Sequence, residues 1–308
     1  MIRKEFHITP LSGENLRLDV FLSEKLKGLS RSQIKKLINN HKVIINGRVR
    51  KSSYRLKRGE KVGVEYEPFS DTGELEPQDI SIDVIYSDKH IIVIEKPSGL
   101  IVHPGAGNRN DTLVNGLIYN FPEIRTVGDR KRPGIVHRLD KETSGLMVIA
   151  RNLEAYKNLQ LQFKERKVEK SYQGLVWGNM PEKKAKLSWS IGRHWKHGER
   201  ISIRTKKPRT AVTYYEVDKE FRKFTLLKIK PITGRTHQIR VHLAAAGHPI
   251  VGDKLYGRRR VKIKCPRLFL HAGSLIFFHP QTGEKIKFSS SLPQDLKKFL
   301  GKLEYTEN

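Results

Sequence analysis

The run Gly134-Ile135-Val136-His137-Arg138-Leu139-Asp140-Lys141-Glu142-Thr143-Ser144-Gly145-Leu146 sets one acid two residues after a guanidinium, between two apolar stretches. Ile135 and Val136 predict a short strand entering a polar turn, and Gly145 to Ile149 predict a second strand leaving it. Asp140 at the mouth of that turn suits a reactive carboxylate, because such a group must be held on a rigid edge. Asp, Ser, Thr and Gly are also ordinary turn formers. Spacing alone leaves both readings open.

The elements that must position this turn form a strand-rich pattern. Apolar segments at Ile82–Tyr86, Ile91–Ile94, Gly145–Ile149, Ser171–Val176, Ala211–Tyr215 and Phe224–Ile229 predict strands, and helical patterns occur at Thr112–Tyr119, Leu153–Phe163, Thr236–Ala246 and Pro293–Leu300. Helices set irregularly among mainly antiparallel strands predict an α+β domain over residues 79–303 rather than a doubly wound sheet. Residues 68–78 carry Pro, Gly and acids, break the periodicity, and are expected to be a linker. Before them, residues 15–67 form a compact basic module. Leu16, Leu18, Val20, Phe21 and Leu26 can line a first helix; Ser30 can cap a second, Arg31–Asn39, with Ile34 and Leu37 inward and Lys35 and Lys36 outward. Val43–Ile45 then enters an Asn46-Gly47 turn, and Val62, Val64 and Tyr66 alternate as a closing strand.

With 60 Lys and Arg against 32 Asp and Glu, the 308-residue chain carries a formal charge of +28. Such an excess favours a polyanion, because phosphate neutralisation releases counterions. A membrane surface is the rival explanation, but no apolar run approaches the ~20 residues needed to span a bilayer. Cys265 is the only cysteine, which excludes an intramolecular disulfide and a cysteine-based zinc site. His137, His237, His242 and His248 lack paired metal-ligand spacing, so no metal is expected. The start lacks the apolar core of a signal peptide, and a cytoplasmic protein is expected.

His137-Arg138-Leu139-Asp140 followed by Thr143-Ser144-Gly145 resembles the signature of the RluA-type pseudouridine synthases. Three further blocks stand in family order. Lys96-Pro97-Ser98-Gly99-Leu100 with Val102-His103-Pro104-Gly105 resembles the first, and Glu169-Lys170-Ser171-Tyr172 the tyrosine block. Thr233 through Leu243, running on to Gly252-Asp253 and Tyr256-Gly257, resembles the third. The 15–67 module resembles the S4 RNA-binding domain through Arg17-Leu18-Asp19, Leu29-Ser30-Arg31-Ser32-Gln33 and Val43 to Val49. A generic helical hairpin with solvated lysines is the plainer alternative there.

The resemblance implies a pseudouridine synthase fold and an isomerase that breaks the uracil N1–C1′ bond, turns the base and joins C5 to C1′, with no cofactor. It implies that Asp140 is the catalytic carboxylate, whether it attacks C1′, attacks C6 or supports a glycal route. Each route begins from the ionised acid, and a nearby guanidinium lowers a carboxylate pKa by roughly 1–3 units. Arg235 matches the arginine that pairs with the catalytic Asp; a phosphate contact is its plain alternative. Tyr172 can stack on the base or move the C5 proton, and Ile239 closes the other side of the base; both could instead be core residues. Arg138 is the wedge that fills the space of a flipped base. His137, Thr143 and Lys96 support the loop. Arg17, Arg31, Lys35, Lys36, Arg48 and Lys51 are expected RNA contacts.

His103-Pro104-Gly105-Ala106-Gly107-Asn108 together with an S4 domain most resembles members that act on large-subunit rRNA. The expected partner is that rRNA or a pre-ribosomal particle, met by a monomer. A sibling enzyme acting on other rRNA or tRNA uridines is the alternative. A catalytically silent assembly protein should have lost Asp140, Tyr172 or Arg235, and all three are present. A nucleoside hydrolase would release free uracil. The basic run Arg258–Lys264 either widens an RNA footprint or is a solvated loop.

Overall fold

A computed structural model describes residues 1–26, 29, 31–66, 75–105, 110–195, 200–257 and 265–305. Ser30, the end of the 103–108 block, residues 68–74 of the expected linker and the basic run 258–264 lie outside the described residues. The chain divides into two compact units, Met1–Leu75 with Pro104–Asn110, and Glu76–His103 with Asp111–Asn308.

The first unit contains β1 (Ile2–His7), α1 (Leu18–Lys25), α2 (Arg31–Asn39), β2 (Val43–Ile45) and β3 (Lys61–Tyr66). Its antiparallel sheet runs β1-β3-β2, so the expected module gains an N-terminal strand that sequence reading placed outside it. Alternation in β3 sends Val62 and Val64 into a core with Leu18, Phe21, Leu22, Ile34, Ile38 and Val43. Leu16 lies before α1 and is exposed. Asn46 and Gly47 both take positive φ, which makes the two-residue turn closed by Ile45 and Arg48. Arg31, Lys35, Lys36, Arg48 and Lys51 are exposed. Arg17 instead forks onto the buried Asp19 carboxylate at 3.0 and 3.2 Å, which gives it a structural partner.

The second unit is built on a nine-stranded, mainly antiparallel sheet. Its strands are β4 (Asp83–Ser87), β5 (Ile91–Lys96), β6 (Ser144–Ala150), β7 (Glu169–Trp177), β8 (Lys184–Leu187), β11 (Thr213–Phe221), β12 (Phe224–Pro231), β13 (Leu270–Phe278) and β14 (Lys285–Ser289). β9 (Gly192–Arg193) and β10 (Ile201–Ser202) form a separate two-stranded ribbon. The main order is β4-β5-β6-β13-β7-β12-β11-β8, with β14 on β13. Its helices are α3 (Leu113–Asn120), α4 (Leu153–Lys164), α5 (Gln238–Ala245) and α6 (Gln294–Tyr305). Glu76 and Gln78, expected in the linker, are bonded to Asn115 of α3.

Every residue of β6 is buried, the pattern of a strand covered on both faces. Ile135 and Val136 do not form the expected strand. Ile135 makes one isolated antiparallel bridge to Ile149, and the chain then leaves as irregular loop. β6 starts by pairing parallel to β13, Ser144 opposite His271 and Gly145 opposite Ala272. Gly145 has φ of 122°, and a Cβ there would stand 2.4 Å from the Ala272 carbonyl oxygen. Gly145→Ala should therefore cost about 2–4 kcal/mol, since strain and overpacking act together. Urea unfolding should show the loss; a cost below ~0.5 kcal/mol would mean that β6 and β13 are not held this close.

Candidate active site

Asp140 stands where the irregular loop turns into β6, and the residues that fix it come from β5. Lys96, the last residue of β5, is fully buried. Its ammonium donates to the carbonyls of Pro97 at 2.6 Å, Leu100 at 2.9 Å and Lys141 at 3.2 Å. An ammonium has three N–H groups, and each here meets an oxygen. Burial pushes the Lys96 pKa down to about 8, opposed by the charges of Asp140 and Glu142. The Ser98 hydroxyl donates to the Glu142 carbonyl at 2.7 Å, and the Gly99 N–H to Lys141 at 2.8 Å. The buried Thr143 closes the turn with its N–H on the Asp140 carbonyl at 3.1 Å.

His137 supports the loop from the other side. Its Nε2 accepts from the Val148 N–H at 3.0 Å, and its ring stacks on Phe163 with centroids 4.6 Å apart. Burial, assisted by the Lys170 charge, pushes its pKa down to about 3, so the ring is neutral with its proton on Nδ1.

The cation facing Asp140 is Arg240 of α5, with Nη1 3.4 Å from Asp140 Oδ2. This corrects the expected pairing with Arg235. Arg235 precedes α5, its side chain is exposed, and its Nε reaches the Thr210 carbonyl at 3.4 Å. The Arg235 backbone N–H and the Thr233 hydroxyl both donate to Gln238 Oε1, fixing the loop in that direction. Arg240 also forks onto Asp253, at 2.7 Å from Nε and 2.9 Å from Nη2. Burial opposes the charge on Asp253, yet the Arg240 hydrogen bonds and ion pair, with the N–H groups of Leu255 and Tyr256, hold its carboxyl below the usual range.

His237 completes this corner. Its Nε2 stands 3.9 Å from Asp140 Oδ2, and its Nδ1 is 2.9 Å from the Tyr256 hydroxyl. The Tyr256 oxygen accepts from the Ile201 N–H at 3.0 Å and has its own proton to give. The favourable arrangement has the Tyr256 hydroxyl donate to the Nδ1 lone pair of His237, so that Nε2–H rather than a lone pair faces the carboxylate. Burial lowers the His237 pKa against the opposing pull of Asp140. His237 holds this place with φ of 53° at the start of α5, a conformation unfavourable for a non-glycine residue.

These groups open into a cleft of about 580 Å³. Tyr172 and Ile239 line it. Burial, then the Asp140 charge, raises the Tyr172 pKa well above the usual range, so its hydroxyl stays protonated. Arg138 is exposed at the rim, with Nη1 3.3 Å from His103 Nε2. The cleft thus gathers Asp140, Tyr172, Ile239, Arg138, His137 and Arg235, while Lys96 lies beneath it. Sequence reading passed over Arg240, Asp253 and His237. The available signal was a charged residue inside the apolar helix Ile239–Leu243, which demands a buried partner. Among the described residues no group of three His, Cys, Asp or Glu could hold a metal ion, and no helix is long and apolar enough to cross a membrane.

Comparison with known proteins adds family information. Residues 90–245 match the RNA pseudouridylate synthase family, and residues 16–62 match the S4 domain. An Aquifex aeolicus protein described as an uncharacterized RNA pseudouridine synthase is 43% identical, covering 96% of each chain. Ribosomal large subunit pseudouridine synthase D of Escherichia coli O6:H1 is 38% identical over 91% of this chain and 88% of its own. Among solved structures, human RNA pseudouridylate synthase domain containing 1 superposes with a TM-score of 0.56 at 27% identity, covering 75% of this chain and 98% of that one.

The buried histidines around the loop make stability depend on pH. His271 bonds the Ser144 hydroxyl at 3.0 Å, and burial pushes its pKa down to about 4. Below pH ~6.5 the unfolded chain takes up protons that folded His137 and His271 refuse. Their stabilising contribution is therefore complete above pH ~6.5 and falls as pH drops toward 4, by about 1.4 kcal/mol per pH unit for each. Urea unfolding at pH 6.5, 5.5 and 4.5 should give a combined slope near 2.5 kcal/mol per pH unit. A flat profile would show that both rings accept protons in the folded state.

Proposed function

Because the chain belongs to the RNA pseudouridine synthase family, we propose that it isomerises particular uridines in a stem-loop of large-subunit ribosomal RNA, with Asp140 as catalytic carboxylate. The observation that carries the assignment of Asp140 is its position: a partly open carboxylate on the cleft wall, facing Arg240, within a loop locked from beneath by Lys96. The named large-subunit relatives and the S4 match support the choice of RNA. The reading carries the expectation of a cytoplasmic enzyme.

A paired or stacked uridine must first leave its helix, at a cost of a few kcal/mol. Arg138, long, planar and exposed at the rim, is suited to fill the vacated space. Inside, the Tyr172 ring and the Ile239 side chain offer flat and apolar surface to the base. Asp140 acts as the carboxylate, with Arg240 fixing the direction of Oδ2. The protonated phenol suits Tyr172 to stacking and hydrogen-bond donation better than to removing the C5 proton from the resting state. The isomerisation conserves atoms and electrons, so the chemistry itself calls for no redox partner or energy source.

Asp140→Asn should bind a large-subunit stem-loop transcript yet release no tritium from 5-tritiated uridine; activity within about tenfold of the unsubstituted enzyme would sink the assignment. The two arginines should separate. Arg240→Lys should cut the single-turnover rate about 100-fold or more with affinity nearly unchanged, since an ammonium cannot hold both carboxylates in a fork. Arg235→Ala should mainly weaken binding and lower the salt slope by about one contact. Reversal of these two patterns would restore Arg235 as the partner of Asp140.

A further inference from the structure

Lysines beside β7 are held by acids: Lys167 pairs with Glu165, and Lys285 with Glu169, each at 2.7 Å. Lys170 departs from that pattern. Its ammonium meets no carboxylate and no hydrogen-bond acceptor among the described residues, although it is half-buried in the cleft wall. It stands 5.8 Å from the centre of the Phe163 ring, and a Cβ on Gly234 would lie 3.9 Å from Nζ. The charge is held between α4 and the turn that leads into α5. Burial lowers its pKa, and its charge adds to the downward shift at His137.

An ammonium partly removed from water without an anion is a cost to the fold, which the weak cation–π attraction of Phe163 only lessens. Nothing in the fold uses its three N–H donors. Lys96 is the contrast, since each of its N–H groups meets a carbonyl. Lys170 and Tyr172 are two residues apart on β7, so their side chains share one face, and both line the cleft with Asp140. A base lying on the Tyr172 ring, with its C1′ toward Asp140, brings two carbonyl oxygens into the enclosure that holds this unsatisfied cation.

We propose that Lys170 is a catalytic residue, whose ammonium takes a carbonyl oxygen of the uracil and stabilises the negative charge that forms on the ring. Breaking N1–C1′ leaves the bonding pair on uracil, where it spreads over N1, O2 and O4. C1′ passes to an Asp140 oxygen, or C2′ loses a proton to give the glycal. Attack of Asp140 on C6 instead drives the ring electrons onto O4. Each route therefore loads a carbonyl oxygen with charge. Turning the ring about its N3–C6 axis exchanges N1 with C5 and O2 with O4, so one fixed cation meets a carbonyl oxygen before and after the turn. C5 then bonds to C1′, the C5 proton leaves, and N1 gains a proton. A donor already in place in a partly dry cleft acts far more strongly on such charge than water does. The inference deepens the reading of the cleft as the site of isomerisation and rests on it.

The test uses the full chain in excess over total RNA tritiated at uridine C5, taken from cells that lack the gene. Such RNA contains the target whichever it is. Lys170→Met should cut the saturated single-turnover release of tritium about 100-fold or more, the usual effect of losing one such donor. The enzyme concentration that gives half the maximal rate should stay within about threefold. Lys170→Arg keeps a cation and should recover at least about tenfold over Lys170→Met. The urea midpoint of Lys170→Met should not fall, because no hydrogen bond of the fold is lost. A saturated rate within about threefold of the unsubstituted enzyme would overturn the proposal. So would a loss confined to the half-saturating concentration, which marks a phosphate contact, or an equal loss in both variants, which removes charge as the cause. A urea midpoint that falls along with the rate would overturn it too, by making Lys170 a structural residue. If Asp140→Asn keeps full release while Lys170→Met loses it, the assignment of Asp140 fails and that of Lys170 stands. Release confined to RNA other than large-subunit rRNA overturns the rRNA target alone and supports Lys170 through the same rate loss.

Discussion

One buried guanidinium stands between two carboxylates. Arg240 faces both Asp253 and Asp140, and the two acids are treated unequally. Asp253 is almost wholly buried and accepts from two Arg240 nitrogens and from the N–H groups of Leu255 and Tyr256. Its oxygens are saturated, so it acts as a counter-ion that fixes the guanidinium plane. Asp140 retains 17% side-chain exposure and receives only the longer 3.4 Å contact from Arg240. Breaking a buried pair by removing one partner costs about 3–5 kcal/mol, so the Arg240–Asp253 fork is not free to swing. Nη1 then faces Asp140 Oδ2 from a fixed direction.

The loop of Asp140 is irregular, yet its backbone carbonyls are not left to water. Lys96 takes that of Lys141, together with those of Pro97 and Leu100 from its own turn, and Ser98 takes that of Glu142. A sheet ladder would have imposed a fixed alternation on His137, Arg138, Leu139 and Asp140. The loop instead lets His137 turn inward against Phe163 while Arg138 stays exposed and Asp140 faces α5. A short parallel pairing then resumes at Ser144, and the close approach at Gly145 locks the register.

The elements with strong periodicity were legible in the chain. α2 occupies Arg31–Asn39, and β5, β6, β7, β12 and α4 coincide with apolar patterns long enough to leave little choice. β13, β14 and β1 were not legible. Leu270–Phe278 mixes His, Gly and Ser with apolar residues because it pairs on both sides around an irregular register, and β1 is largely exposed. Within the site, the loop motif pointed to Asp140, and the first block to Lys96, whose ammonium meets the Lys141 carbonyl. The choice between Arg235 and Arg240 could not be made from spacing, because both stand in one block five residues apart. His237, where φ is 53°, stands between them: Arg235 before it is exposed, and Arg240 within α5 faces inward. That is a backbone event with no periodic signature.

The same corner shows how, in a chain of charge +28, one acid is governed by its near neighbours. Long-range attraction from exposed lysines and arginines is screened within about 8–10 Å at physiological salt. Contacts in a partly buried cleft are screened far less, so Arg240 at 3.4 Å and His237 at 3.9 Å dominate what Asp140 experiences. A neutral His237 with Nε2–H toward the carboxylate contributes a dipole rather than a second full charge. An imidazolium there would add to Arg240 and hold the acid more tightly in its resting position. Burial lowers the pKa of that ring against the pull of Asp140, and the Tyr256 hydroxyl stands 2.9 Å from Nδ1. Any group that displaced water from the cleft would strengthen these short-range contacts. The surface cations therefore contribute little to the surroundings of Asp140, which are set by two residues at the start of α5.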